Sequence, residues 1–244
     1  MFRGVGTIIN IAAIVAGGTI GIFSGGRLSE RTKSLITDVL GCVTLLAAAD
    51  AISALWGPQF TEQMPRGWTL LGTLFALILG GVLGSYLRIQ DRLEDFGGFL
   101  KRKFGSQDER SFVSGFMAAT LLFAIGPLAI LGSISDGMGT GTTQLALKST
   151  LDFFASVAFA STFGAGVIAS IIPVGIYQGL WTVVGLFLGN VMAPYQVAAM
   201  TVSGGVLLLG ISLRLLDIKH IRIGDLLPAL FFAPVVALIA HQFI

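Results

Sequence analysis

Polar positions are scarce along this chain, and charges are scarcer. No charged residue falls in residues 4–26, 67–87, 111–135 or 226–244, and residues 153–213 form one uncharged run. Each shorter gap fits a helix of about 20 residues, the length that crosses a hydrocarbon core about 30 Å thick. The long run fits three, divided by turn chemistry at Pro173 and over residues 190–195, which begin with Asn190. A further apolar stretch, residues 35–56, carries Asp38 near one end and Asp50 inside it. The pattern predicts an all-α polytopic membrane protein of about eight transmembrane helices, with seven as the alternative, in a single transmembrane domain over residues 1–244.

Composition excludes a soluble domain. Of 244 residues, 54% are hydrophobic and 11% charged, and mean hydropathy is +0.87, whereas soluble domains carry about a quarter charged residues. The charges that exist set a direction. With the N-terminus outside, twelve of the 15 basic residues face the cytoplasm, in the loops holding Arg27, Arg31 and Lys33, then Arg88 to Arg110, then Arg214, Lys219 and Arg222, as the positive-inside rule requires. The same placement explains the pI of 8.9, so nucleic-acid binding is not needed. The first apolar stretch lacks a small-x-small cleavage site and its basic residues follow it, which favours a retained span over a signal peptide. Cys42, the single cysteine, excludes an internal disulfide and reads as a small hydrophobe.

GGVL occurs at residues 80–83 and again at 204–207, each followed by Leu-Arg and a basic loop. The offset is about half the chain and raises a four-plus-four repeat with halves 1–120 and 121–244, although paired glycines are frequent in any membrane helix. Gly17 and Gly21, Gly80 and Gly84, Gly175 and Gly179, and Gly185 and Gly189 are pairs four apart. They let backbones approach closely, within one chain rather than as a dimer seam. Gly204 belongs to the same set.

Candidate chemistry lies around residues 136–152, DGMGTGTTQLALKSTLD. A helix beginning near Thr143 on the outer side carries Asp152 about 13 Å inward, with Lys148 one turn before it on the same face. Asp50 sits in the outer half of the second span. Asp136 ends the fourth, which Gly126 and Pro127 should kink. Intramembrane ionisable groups usually face the bundle interior and mark a pathway, so Asp152, Lys148, Asp50, Asp136, Ser149 and Gln144 are candidate solute- or ion-binding residues. The alternative is a pair that only neutralises itself, with Lys148 snorkelling to the interface. Asn10, Gln178 and Asn190 read as interhelical hydrogen-bonders.

The ordered series GPLAILGSISDG at 126–137, KSTLD at 148–152, FASTFGAGV at 159–167 and IPVGIYQG at 172–179, with INIAAIVAGGTIG at 9–21, resembles the bacterial YdfK/YqgA-type inner-membrane family over nearly the whole chain. The resemblance implies a multi-pass protein of the inner (plasma) membrane and supplies no substrate. One departure is visible: Gly139-Thr140-Gly141 and Phe153-Phe154 stand where an acid and a glycine are expected, which counts against a cation site if the loop acid coordinates the ion.

Enzyme signatures are missing: there is no HExxH, GxSxG or Walker loop, and the two histidines, His220 and His241, do not share a helix face, so neither a metal site nor a cofactor is expected. Residues 88–110 form the longest charged segment, too short for a nucleotide domain. Residues 94–104 within it read as an amphipathic helix with Leu100 and Phe104 toward lipid and Lys101 to Lys103 toward headgroups. The sequence therefore points to a secondary transporter of a small solute or ion, with hinges at Gly126, Gly164 and Gly166. A passive channel, or a non-transporting assembly or sensor protein, is the alternative. The partners are the lipid bilayer and the solute, and a homo-oligomer stays open.

Overall fold

The computed structural model describes residues 2–104, 109–188 and 192–243. Among them every regular element is helical. In chain order these are α1 Val5–Gly25, α2 Glu30–Ser53, α3 Pro58–Thr61, α4 Trp68–Tyr86, α5 Ile89–Phe104, α6 Glu109–Ala124, α7 Pro127–Met138, α8 Thr143–Phe163, α9 Gly166–Ala169, α10 Ile171–Leu188, α11 Pro194–Leu215 and α12 Ala229–His241. Short 3₁₀ turns, Ala54–Trp56 and Ile223–Leu226, extend α2 and precede α12. With lipid outside, each backbone must satisfy its own hydrogen bonds, and the helix does so.

Six described helices are long and apolar enough to cross a membrane. If α6 and α7, bent by 60° between residues 124 and 128, are taken as one span, the number rises to seven. The bend has a covalent cause: Gly126 takes φ 135°, a conformation only glycine adopts freely, and Pro127 opens α7 without an N–H to continue the ladder. α8 has the length of α1 but carries Lys148, Asp152 and several hydroxyls, so it is less apolar. α5 is charged and amphipathic, unlike any span.

The long uncharged run divides differently from the expectation at Pro173. That proline lies in the first turn of α10, where its missing donor costs nothing. The break falls earlier, at Gly164, whose φ of 70° ends α8. Asn190 lies outside the described residues.

The chain forms two compact units, each drawing on both sequence halves: Met1–Leu40 with Leu93–Val191, and Gly41–Arg92 with Met192–Ile244. In the first, α1 and α8 run parallel along a glycine seam. Gly6 lies against Leu145, Gly17 against Phe153, Gly21 against Val157 and Gly25 against Ser161. A methyl group at Gly17, Gly21 or Gly25 would overlap a backbone carbonyl of α8. α9 and α10 run antiparallel to α1, with Gly18 against Ile168 of α9 and Ile11 against Gly175 of α10. α7 crosses α10 where Gly137 meets Thr182 and Gly185 meets Ile134. Phe112, Phe116, Phe123 and Phe159 fill the interior. In the second unit α4 and α12 are antiparallel, Gly72 facing Val236, Gly80 facing Ala229 and Gly84 facing Asp225. The Ser212 hydroxyl of buried α11, whose Gly204 is also buried, donates to the Gly41 carbonyl over 2.7 Å.

Candidate functional site

α8 buries Leu145, Lys148, Ser149, Asp152, Ser156 and Phe159, a stripe at three- and four-residue spacing on one helix face. Its centre is charged. The Lys148 ammonium donates to the Asp152 carboxylate over 2.5 Å, and each residue is 6% exposed. The Phe123 ring of α6 lies 5.8 Å from Nζ, within cation–π reach. Ser149 donates back to the Leu145 carbonyl over 2.6 Å, so its proton is taken within the helix.

Opposite this stripe α1 presents Thr7, Asn10, Ile14 and Gly17, all buried. The glycines bring the two backbones together, which places the Asn10 amide facing Asp152 but outside hydrogen-bonding geometry. Neither polar atom of Asn10 has a partner among the described residues, and the same holds for the hydroxyls of Thr7, Thr120, Ser156 and Tyr177 and both amide atoms of Gln178. Each buried, unsatisfied polar group costs about 1–3 kcal/mol.

Asp136, at the end of α7, accepts a hydrogen bond of 2.8 Å from the Gly6 amide. It is a cap on the second residue of α1, where the helix dipole favours an anion, and it faces that helix end. Gln144 is exposed on α8, and Asp50 is exposed on α2 in the other unit. Gly164 ends α8, and Gly166 packs on the Phe112 backbone. A cavity of about 530 Å³ opens at the far end of the α1/α8 seam, lined by Gly25, Lys33, Thr37, Ser111, Ser161 and Thr162.

The second unit holds a charge cluster at the start of α5. Asp225 accepts from the Gln90 amide over 2.9 Å, again the second residue of a helix, and from Arg222 over 2.8 Å. Arg222 also reaches Asp91 over 2.6 Å, while Arg88 holds Asp91 over 2.9 Å. The Arg88 hydrogen bond, with both arginine charges, holds the Asp91 carboxyl below its ordinary value. The Asp225 hydrogen bond and charge raise Arg222 above its own. Among the described residues no group of three or more His, Cys, Asp and Glu could hold a metal ion.

Sequence reasoning put Lys148 and Asp152 on one helix face, and both are buried on α8, but it read Asn10 and Gln178 as interhelical hydrogen-bonders and passed over Thr7, Ser156 and Phe123. The spacing of Thr7, Asn10, Ile14 and Gly17 was the available signal, since it places two polar groups on the glycine face.

Residues 5–238 match the family described as "Protein of unknown function (DUF554)". The chain is 29% identical over 239 residues to "Uncharacterized membrane protein YdfK" of Bacillus subtilis (strain 168), covering 98% of this chain and 97% of that protein. It is 27% identical over 229 residues to "Uncharacterized protein YqgA" of Escherichia coli (strain K12), covering 94% of each. No solved structure matches.

Proposed function

The chain belongs to the DUF554 family, and from that premise we propose that it is a secondary transporter of a small solute or ion in the bacterial inner membrane, with no catalytic step. One observation carries this: the Lys148–Asp152 ion pair is buried on α8, with the Asn10 amide of α1 facing it. Packing alone favours apolar residues at such a place, since replacing a buried ion pair by hydrophobes is often neutral or stabilising. An intramembrane charge retained at that cost marks a pathway. Asp152 takes up the coupling charge, Lys148 holds it ionised in the unloaded state, and Gly126 and Gly164 allow α7 and α8 to shift within their unit.

Helix direction supports eight crossings. α1 and α8 are parallel, α1 and α10 antiparallel, and α4 and α12 antiparallel. In a bilayer these relations are met together when α8 crosses once and the bent α6–α7 pair crosses once. The basic loops then lie inside and both termini outside.

Proteoliposomes loaded with a pH-sensitive dye test the transport reading against a panel of amino acids, organic acids, sugars and monovalent salts. The expected result is saturable, trans-stimulated proton movement with at least one class, lost in Asp152→Asn. Linear, unsaturable flux identifies a channel instead. If no class moves protons, and replacing Lys101, Arg102 and Lys103 abolishes function in cells while Asp152→Asn does not, the transport role is abandoned for a surface role of α5.

A further inference from the structure

We propose that the cavity at the end of the α1/α8 seam binds a zwitterionic α-amino acid, whose carboxylate pairs with Lys33 and whose ammonium pairs with Glu30. The inference rests on the transport reading and deepens it by naming the class of solute. The cavity's volume of about 530 Å³ lies within the range of about 300–1,000 Å³ usual for small-molecule sites. On the proposed topology it opens to the cytoplasm.

The walls come from helices of the first unit. The first two turns of α2 supply Glu30, Lys33, Ser34 and Thr37, whose spacing of three and four residues puts them on one helix face. α8 ends at the cavity with Ser161, Thr162 and Phe163, and α1 ends there with Gly25. Ser111 of α6 adds another hydroxyl. The Thr162 hydroxyl lies 3.5 Å from the Lys33 carbonyl and so joins the walls of α8 and α2. Ser161 is roughly 14 Å along α8 from Asp152.

Charge selects the ligand. Lys33 Nζ lies 2.9 Å from Glu30 Oε1, with the lysine side chain 26% exposed and the glutamate 90%. The lining thus carries one charge of each sign, and Arg27 and Arg31 lie outside it. A simple anion would be opposed by Glu30 and a simple cation by Lys33, whereas a ligand bearing both charges pairs with both. An α-amino acid carries its ammonium and carboxylate on a single carbon, at a separation close to that of the Lys33–Glu30 pair, so the two pairs match head to tail. An ion pair this exposed holds little energy of its own, and Glu30 occupies one of the three donors of the Lys33 ammonium. The ligand's ammonium has further acceptors. The Thr37 and Ser161 hydroxyls give their protons to the Lys33 and Ala158 carbonyls, which leaves their oxygens with lone pairs to offer. The C-terminal turns of α1 and α8 both border the cavity, and helix dipoles favour a positive group there.

The test combines Ser34→Cys with Cys42→Ala, so that a charged methanethiosulfonate labels one thiol in the cavity wall of the purified protein. The probes are glycine, L-alanine, L-serine, L-leucine and L-glutamine, against L-alaninamide, propionate, O-phosphoethanolamine and glucose. At least one amino acid should slow labelling saturably and raise the wild-type Tm, with the comparison compounds at least about tenfold less effective. Lys33→Gln should weaken amino-acid binding about tenfold and leave L-alaninamide unchanged; Glu30→Gln should do the same while leaving propionate no weaker. A pair with a purely structural role would shift every ligand alike. If the thiol variant does not fold, the wild-type Tm series decides. No effect of any amino acid on labelling and Tm, or an equal effect of O-phosphoethanolamine or glucose, overturns the proposal. Amino-acid binding without flux in proteoliposomes would sink the transport reading and leave the site standing; flux of another solute class without amino-acid binding would do the reverse.

Discussion

Asp91 and Asp152 are both acids beside a basic partner, but their surroundings give the pairs different consequences. Asp152 is enclosed, so its pairing with Lys148 is an alternative to an isolated buried charge. Asp91 lies at the water-facing start of α5, where solvent screens the interaction. Its folded-state pKa is lowered from 3.8, so it contributes stability above about pH 4, and that contribution is lost as pH falls through the lower folded value. Asp91→Asn should therefore flatten the acid limb of stability against pH, with thermal unfolding midpoints at pH 6 and pH 3.5 moving closer together. A steeper acid limb in the variant would contradict the assigned hydrogen bonds.

Glycine behaves oppositely in two helices, and the neighbours decide which way. In α1 a methyl group at Gly17 would overlap the Phe153 carbonyl, whereas nothing lies within 4 Å of a methyl group at Gly98 in α5. Gly17→Ala should cost about 1–3 kcal/mol by forcing the seam apart. Gly98→Ala should stabilise by about 0.5–1 kcal/mol by removing backbone freedom from the unfolded chain. Thermal unfolding in one detergent measures both, and shifts of the same sign would show that the α1/α8 seam is not close-packed. Sequence spacing suggested Gly17 and Gly21 as packing positions and could not say which helix would receive them; both lie against α8. Gly179, equally well spaced from Gly175, meets nothing within 4 Å.

For the whole molecule the directions of α1, α8, α10, α4 and α12 constrain topology more tightly than apolarity does. An apolarity criterion leaves α8 out because it carries the charges, yet its parallel course beside α1 requires an odd number of crossings between them. Eight crossings put the N- and C-termini on the same side. On the proposed topology, alkaline phosphatase fused to either end should be active, and a green fluorescent protein fused to either end should be dark. Opposite behaviour at the two ends would leave seven crossings.

Helicity, membrane embedding and the helical turn shared by Lys148 and Asp152 were legible in the residues themselves, because they depend on composition and on a repeat of 3.6, which are local. The course of the chain through two interleaved units was not, nor was the exposure of Asp50 and Gln144 or the role of Asp136 as a cap on a helix 130 residues away. These depend on which helices become neighbours, and close packing of small residues over long separations makes that choice. Asn10 illustrates the division: its burial follows from its apolar helix, but its place opposite Asp152 exists only because the glycines of α1 let α8 approach.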